Sequence, residues 1–98
     1  MTIRRDPEGA EIRAIDALLP DFTGRRVLEV GCGDGRLTRR YAHRAASVLA
    51  IDPDAAKIAA FREDMPEGRV DARAVSFLDE ALDLPDHVFD VIIFSWSL

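Results

Sequence analysis

At 98 residues, 48% hydrophobic and 32% charged, the chain has the length and composition of one globular domain and is too rich in apolar residues to stay disordered. Its formal charge of −5 leaves no basic footprint for a phosphate backbone, although twelve of its thirteen basic residues are Arg, so the balance argues against direct nucleic-acid binding. No stretch approaches a membrane span, MTIRRDPEGAEIR carries no leader-like apolar core, and a lone Cys32 excludes an internal disulfide and supplies no metal-ligand pattern; the default compartment is the cytoplasm.

In chain order, Asp6-Pro7 reads as an N-cap and first helical position, and Ile12, Ile15, Leu18 and Leu19 then share one face before Pro20. A leading amphipathic helix over 7–19 is expected. DFTGRR, Asp21 to Arg26, is a polar link, after which Val27 to Val30 forms a short buried strand. A second helix is expected from Gly35 to about Ala45, with Leu37, Tyr41 and Ala45 at spacing four and Arg36, Arg39, Arg40 and Arg44 mostly on the outer face.

Ser47 to Ile51 is a continuous apolar run, as in a parallel strand covered on both sides. Asp52-Pro53 ends it, and Pro53 or Asp54 opens a helix with apolar positions Ala55, Ile58, Ala59 and Phe61, closing before Met65-Pro66. Val70 to Phe77 contains a third strand, nearer the sheet edge because Asp71, Arg73 and Ser76 interrupt it. Asp79 to Leu84 is a short helical turn or loop, Pro85-Asp86-His87 a turn, and Phe89 to Phe94 a fourth strand. Strands alternating with helices indicate a parallel sheet with right-handed crossovers.

The chemistry concentrates in VLEVGCGDGRLT, Val27 to Thr38. A buried strand runs into glycines at 31, 33 and 35, which let a ligand approach the backbone, and then into a helix whose free N–H groups face that space.

These residues resemble the class I S-adenosylmethionine-dependent methyltransferases. The first shared motif is an acid, any residue, then Gly-x-Gly-x-Gly, here Glu29, Val30, Gly31, Cys32, Gly33, Asp34, Gly35. The second is an acid closing the next strand, Asp52, which in the family holds the ribose hydroxyls. The third resembles Asp-Ala-x-x-Leu-Pro before Phe-Asp-Val: Glu80-Ala81-Leu82-Asp83-Leu84-Pro85, then Phe89-Asp90-Val91.

The resemblance covers about Glu8 to Leu98. It implies a Rossmann-like three-layer αβα sandwich with a parallel sheet, and S-adenosylmethionine as cofactor. The cofactor-binding positions it implies are Glu29, Gly31, Cys32, Gly33, Gly35, Asp52, Pro53, Asp79, Glu80, Ala81, Phe94 and Ser95. Either Asp79 or Glu80 meets the adenine, and no general base or metal is assigned. The chain would be the N-terminal portion of one methyltransferase domain spanning 1–98, with strand order 3-2-1-4 and the sheet truncated after the fourth strand. That strand would then expose an edge able to pair with a second copy. Methyl transfer to a small-molecule acceptor is the implied activity. Phe94-Ser95-Trp96-Ser97 is unlike the Asn-Pro-Pro-Tyr signature of family members acting on exocyclic amines.

Two other functions compete: a non-catalytic cofactor-binding or assembly module, and a dinucleotide-binding oxidoreductase. The dinucleotide pattern G-x-G-x-x-G counted from Gly31 requires glycine at position 36, where this chain has Arg36. Charge also discriminates, since Glu29, Asp34, Asp52, Asp79 and Glu80 would surround a doubly negative pyrophosphate but suit a sulfonium and an ammonium. Plainer roles exist for individual residues. Asp34 could cap the second helix, Glu29 could be internally paired, Asp52 could cap the helix that follows, and Cys32 could be a small filler. His43 and His87 read as surface residues, and Trp96 as core or pocket wall.

Overall fold

The computed structural model describes residues 2–4, 22–76 and 89–95. In chain order these form strand β1 (Thr2–Arg4), strand β2 (Arg26–Val30), helix α1 (Thr38–Tyr41), strand β3 (Ser47–Asp52), helix α2 (Ala55–Glu63), strand β4 (Val70–Ala74) and strand β5 (Val91–Phe94). All five strands are parallel, in the order β1-β5-β2-β3-β4. Strands β2 to β5 therefore lie in the expected 3-2-1-4 arrangement. The 7–19 helix, the Asp79 to Leu84 segment and the Pro85-Asp86-His87 turn fall outside the described residues.

β2 occupies the middle of the sheet, flanked by β3 and β5, and Val27 to Val30 are all buried. Such a run is apolar on both faces because both are covered. On one face, Val27, Val48, Ala50, Val91 and Ile93 pack against Tyr41 and Ala42 near α1 and Ile58 and Phe61 from α2. On the other, Leu28, Val30 and Ile51 form a second cluster with Leu49, Ile92 and Phe94. Both helices sit on the first face, as two successive right-handed crossovers running the same way require. Side chains of one parity along β2, β3 and β5 therefore point toward the helices, and that parity carries Glu29, Asp52 and Ser95.

The strand β1 was not foreseen, and it corrects the expectation of an open edge. Thr2, Ile3 and Arg4 pair with Ile92, Ile93 and Phe94, so the outer side of the fourth predicted strand already has a neighbour. Self-association through that edge loses its basis. Three residues with two polar members carry no periodic signal, and their partner strand lies at the far end of the chain. The opposite edge is β4, as its broken apolar pattern indicated. Asp71 and Arg73 pair across its exposed side at 2.7 Å, a charged guard against edge-to-edge pairing.

The second helix is shorter than the spacing suggested. Only Thr38–Tyr41 is α-helical, because Gly35 takes φ +88° before it and the N–H groups of Arg44 and Ala45 bond three residues back after it. Arg36, Arg40 and Arg44 are exposed as expected, whereas Arg39 lies half-buried, 5.6 Å over the ring of Phe61, and donates to the Asp64 carbonyl. α2 begins where predicted: Asp54 is its N-cap, and its carboxylate accepts from the N–H groups of Ala56 and Lys57 at 3.0 and 3.2 Å. Its buried face is narrower than read, since Ile58 and Phe61 are buried while Ala55 and Ala59 are exposed. Phe22, assigned to a polar link, is fully buried 4.8 Å from the Tyr41 ring. A single aromatic between polar residues gives no period to detect.

Candidate functional site at the carboxyl ends of the central strands

The glycine turn leaves β2 at Gly31 and is tied to the neighbouring strand at once. The N–H groups of Gly31 and Cys32 both donate to the Ile51 carbonyl, at 2.8 and 3.1 Å. Gly31, Gly33 and Gly35 have φ of +84°, +57° and +88°, so the turn needs left-handed backbone at three alternate positions. Gly35 has a second reason to be glycine: a Cβ there would lie 2.5 Å from the Phe61 ring of α2.

Asp52 closes β3 beside this turn and is 7% exposed. One carboxylate oxygen accepts from the Gly33 N–H at 2.9 Å, and the other accepts from the Asp54 N–H at 2.8 Å. Asp52 thus clamps the turn to the end of β3, and the cap of α2 is Asp54. Each Asp52 oxygen has one such amide donor and, with two lone pairs, can accept a second bond from a ligand hydroxyl. Pro53 is exposed immediately beyond it.

Glu29 is fully buried on the helix-facing side of β2. Its Oε1 accepts from the Thr38 hydroxyl at 2.7 Å and the Tyr41 hydroxyl at 2.5 Å, and its Oε2 from the Ser95 hydroxyl at 2.6 Å. Burial pushes its carboxyl above the usual range, and the hydrogen bonds from Ser95, Tyr41 and Thr38 oppose that rise. In this position Glu29 supports the turn from beneath and is internally paired. The sequence reading missed Thr38 and Tyr41 as its partners. Their signal was present: hydroxyl-bearing residues three apart on the inward side of a helix that packs over an inward-facing acid.

Ser95 follows β5. Its N–H donates to the Val30 carbonyl at 2.8 Å, extending the β2–β5 ladder to the mouth of the turn, and Phe94 before it is half-buried on the opposite sheet face. Cys32 is buried, its thiol directed to the Gly33 carbonyl, and burial together with Glu29 and Asp52 drives its ionisation far above neutral pH. A thiol held in that state is a filler, not a nucleophile. Asp34 is exposed and does not cap α1, which lacks a side-chain cap. His43 is exposed. Asp79, Glu80, Ala81, His87 and Trp96 lie outside the described residues. Among the described residues no cluster of His, Cys, Asp and Glu is arranged to hold a metal, and no helix is long and apolar enough to cross a membrane.

The structure therefore gathers the turn 31–35, Asp52 and Ser95 at the carboxyl ends of β2, β3 and β5. β2 and β5 adjoin where the strand order reverses, the place where ligands bind in open α/β sheets.

Comparison with known proteins agrees with this geometry. The sequence profile of the methyltransferase domain matches residues 27–98. An uncharacterized methyltransferase of Mycobacterium tuberculosis is 35% identical over 82 residues, 82% of this chain and 31% of that protein. Ribosomal RNA small subunit methyltransferase C of Chromohalobacter salexigens is 45% identical over 51 residues, 52% of this chain and 15% of that protein. Among solved structures, an S-adenosylmethionine-dependent methyltransferase of Mesorhizobium loti superposes with a TM-score of 0.69 at 28% identity, covering 84% of this chain and 38% of that one. The chain spans about a third of the length of the first curated relatives it matches.

Proposed function

The chain belongs to the class I S-adenosylmethionine-dependent methyltransferase family, and from that premise we propose that it forms the cofactor-binding part of an enzyme that methylates a small-molecule acceptor. The observation that carries the reading is the setting of Asp52. A buried carboxylate at the end of β3 spends one lone pair on each oxygen to hold the glycine turn and the start of α2, and keeps the others for a diol at the crevice.

The residues fit the proposed cofactor. The left-handed turn 31–35 presents backbone without Cβ atoms at alternate positions, and Asp52 offers acceptors for ribose hydroxyls. Asp52 places a carboxylate at the mouth of the turn, with Glu29 buried beneath it, and the hydrogen-bond partners of both among the described residues are hydroxyls and main-chain amides, which carry no net charge. This suits a ligand bearing a sulfonium and an ammonium and disfavours a pyrophosphate, by a few kcal/mol per contact at intermediate dielectric. The bound cofactor would supply an activated methyl group. The protein's own task is to orient and to exclude water, so Asp52, Gly33 and Ser95 act by holding the crevice in shape. Asp79, Glu80 and Ala81 would complete it toward the adenine, and Pro53 and Phe94 would border it.

Titration calorimetry with S-adenosylmethionine, S-adenosylhomocysteine and NAD tests this. Binding of the first two, weakened at least about tenfold by Asp52→Ala, is the expected result. Binding of NAD alone would end the methyltransferase reading. An RNA acceptor is the second reading, favoured by the similarity to a ribosomal RNA methyltransferase. The net charge of −5 weighs against it, and transfer of labelled methyl groups to ribosomal RNA but not to small acceptors would establish it.

A further inference from the structure

The two oxygens of Glu29 divide their partners by element. Oε1 holds the hydroxyls of Thr38 and Tyr41, both on α1, and Oε2 holds the Ser95 hydroxyl at the end of β5. Tyr41, Thr38 and Glu29 are fully buried, and Ser95 is 4% exposed. Ser95 is also bound to the base of the turn, since its N–H donates to the Val30 carbonyl and its hydroxyl lies 3.4 Å from the Gly31 carbonyl.

One carboxylate thus joins the helix that follows the glycine turn to the strand across the crevice from it. A buried acid whose partners among the described residues are all hydroxyls is costly compared with an apolar side chain of the same size. Packing of α1 on the sheet alone would be served as well by leucine, and Val27, Val48 and Val91 already fill the helix-facing side that way.

We propose that Ser95 and Tyr41 are positioning residues that act through Glu29 to fix the gap between the glycine turn and the end of β5, and so set the affinity of the site for its cofactor. The inference rests on the methyltransferase reading. It gives Ser95 a role through Glu29 in place of direct ligand contact, and it adds Tyr41, which the motif does not contain. Among the described residues, the groups that face Glu29 are Thr38 and Tyr41 from α1, Ser95 just after β5, Asp52 from β3 and Cys32 from the turn. Removing one hydroxyl alters the proton affinity of Glu29 in a known direction: with fewer donors to its ionised form, Glu29 keeps its proton to higher pH.

The experiment is calorimetric titration of the unchanged chain, Ser95→Ala, Ser95→Thr and Tyr41→Phe with S-adenosylhomocysteine from pH 6 to 9, with melting temperatures measured alongside. The expected result is a loss of about tenfold in affinity for Ser95→Ala and for Tyr41→Phe, return to within about threefold of the unchanged chain for Ser95→Thr, and an acid-side fall in affinity that moves to higher pH in Ser95→Ala. If the hydroxyls serve packing alone, the melting temperatures fall while the affinities and their pH profiles stay where they were, and that outcome overturns the proposal. If the unchanged chain binds neither S-adenosylhomocysteine nor S-adenosylmethionine, the methyltransferase reading itself has failed and the proposal falls with it. The two failures are therefore distinct.

Discussion

The two ends of the parallel sheet handle their acids differently. At the carboxyl end, Glu29 and Asp52 are buried and bonded by hydroxyls and main-chain amides. At the amino end, Asp90 sits half-exposed at the surface. It accepts from the Arg26 N–H at 2.9 Å and pairs with the Arg26 guanidinium at 3.4 Å, while its own N–H donates to the Arg26 carbonyl at 2.8 Å. The amino-end acid is neutralised by an arginine and joins the starts of β2 and β5. The partners of the carboxyl-end acids among the described residues are uncharged hydroxyls and main-chain amides. A carboxylate matched to an arginine has little left to offer a cationic ligand, so the two ends of the sheet differ in what they could give one.

The largest effect that tests this contrast comes from crowding the carboxyl end. Gly35→Val requires a β-branched residue at φ +88° and pushes a Cβ into the Phe61 ring, so a loss of about 4 kcal/mol in urea unfolding is expected. In a Phe61→Ala background the same change should cost less, because the collision is then removed. Next is Glu29→Ala, which leaves three buried hydroxyls without their acceptor and opens a small cavity. About 3 kcal/mol should be lost in the same assay.

Glu29→Gln sharpens the comparison through pH. The folded state raises the Glu29 pKa, so it binds this proton more tightly than the unfolded chain does. The resulting stability is fully present below the unfolded value near 4.5 and is lost as pH rises through the raised folded value. Gln has no such proton, so the melting temperature of Glu29→Gln should fall less between pH 5 and pH 8 than that of the unchanged chain. A parallel slope in both would show that Glu29 ionises normally.

Asp90 runs the opposite way and gives the smallest effect. The Arg26 N–H and guanidinium hold its carboxyl below the usual range, so its contribution is present above about pH 3.8 and lost as pH falls through the depressed value. Because the pair is exposed, Asp90→Asn should barely move the melting temperature at pH 7. A large drop there would erase the distinction between the two ends.

Much of this was legible in the chain itself. The central strand, the glycine turn, the Asp54 cap and the edge character of β4 follow from local rules: uninterrupted apolar runs, required left-handed backbone, a carboxylate one residue before a helix, charges breaking a strand. β1 and Phe22 escaped because three residues, or one, carry no period. The length of α1 escaped because its end depends on three-residue bonds that form only against neighbouring segments.

For this protein, then, local pattern determined the alternation of parallel strands and helices, the left-handed glycine turn and the carboxylates at the ends of its strands, since period and backbone freedom are properties of neighbours along the chain. Only the tertiary structure decided what the acids do there. Glu29 meets Ser95 across 66 positions, and Asp52 meets Gly33 across 19. Whether a carboxylate faces a ligand, a hydroxyl or an arginine depends on which strands adjoin, and strand adjacency is settled by burying both faces of the sheet at once.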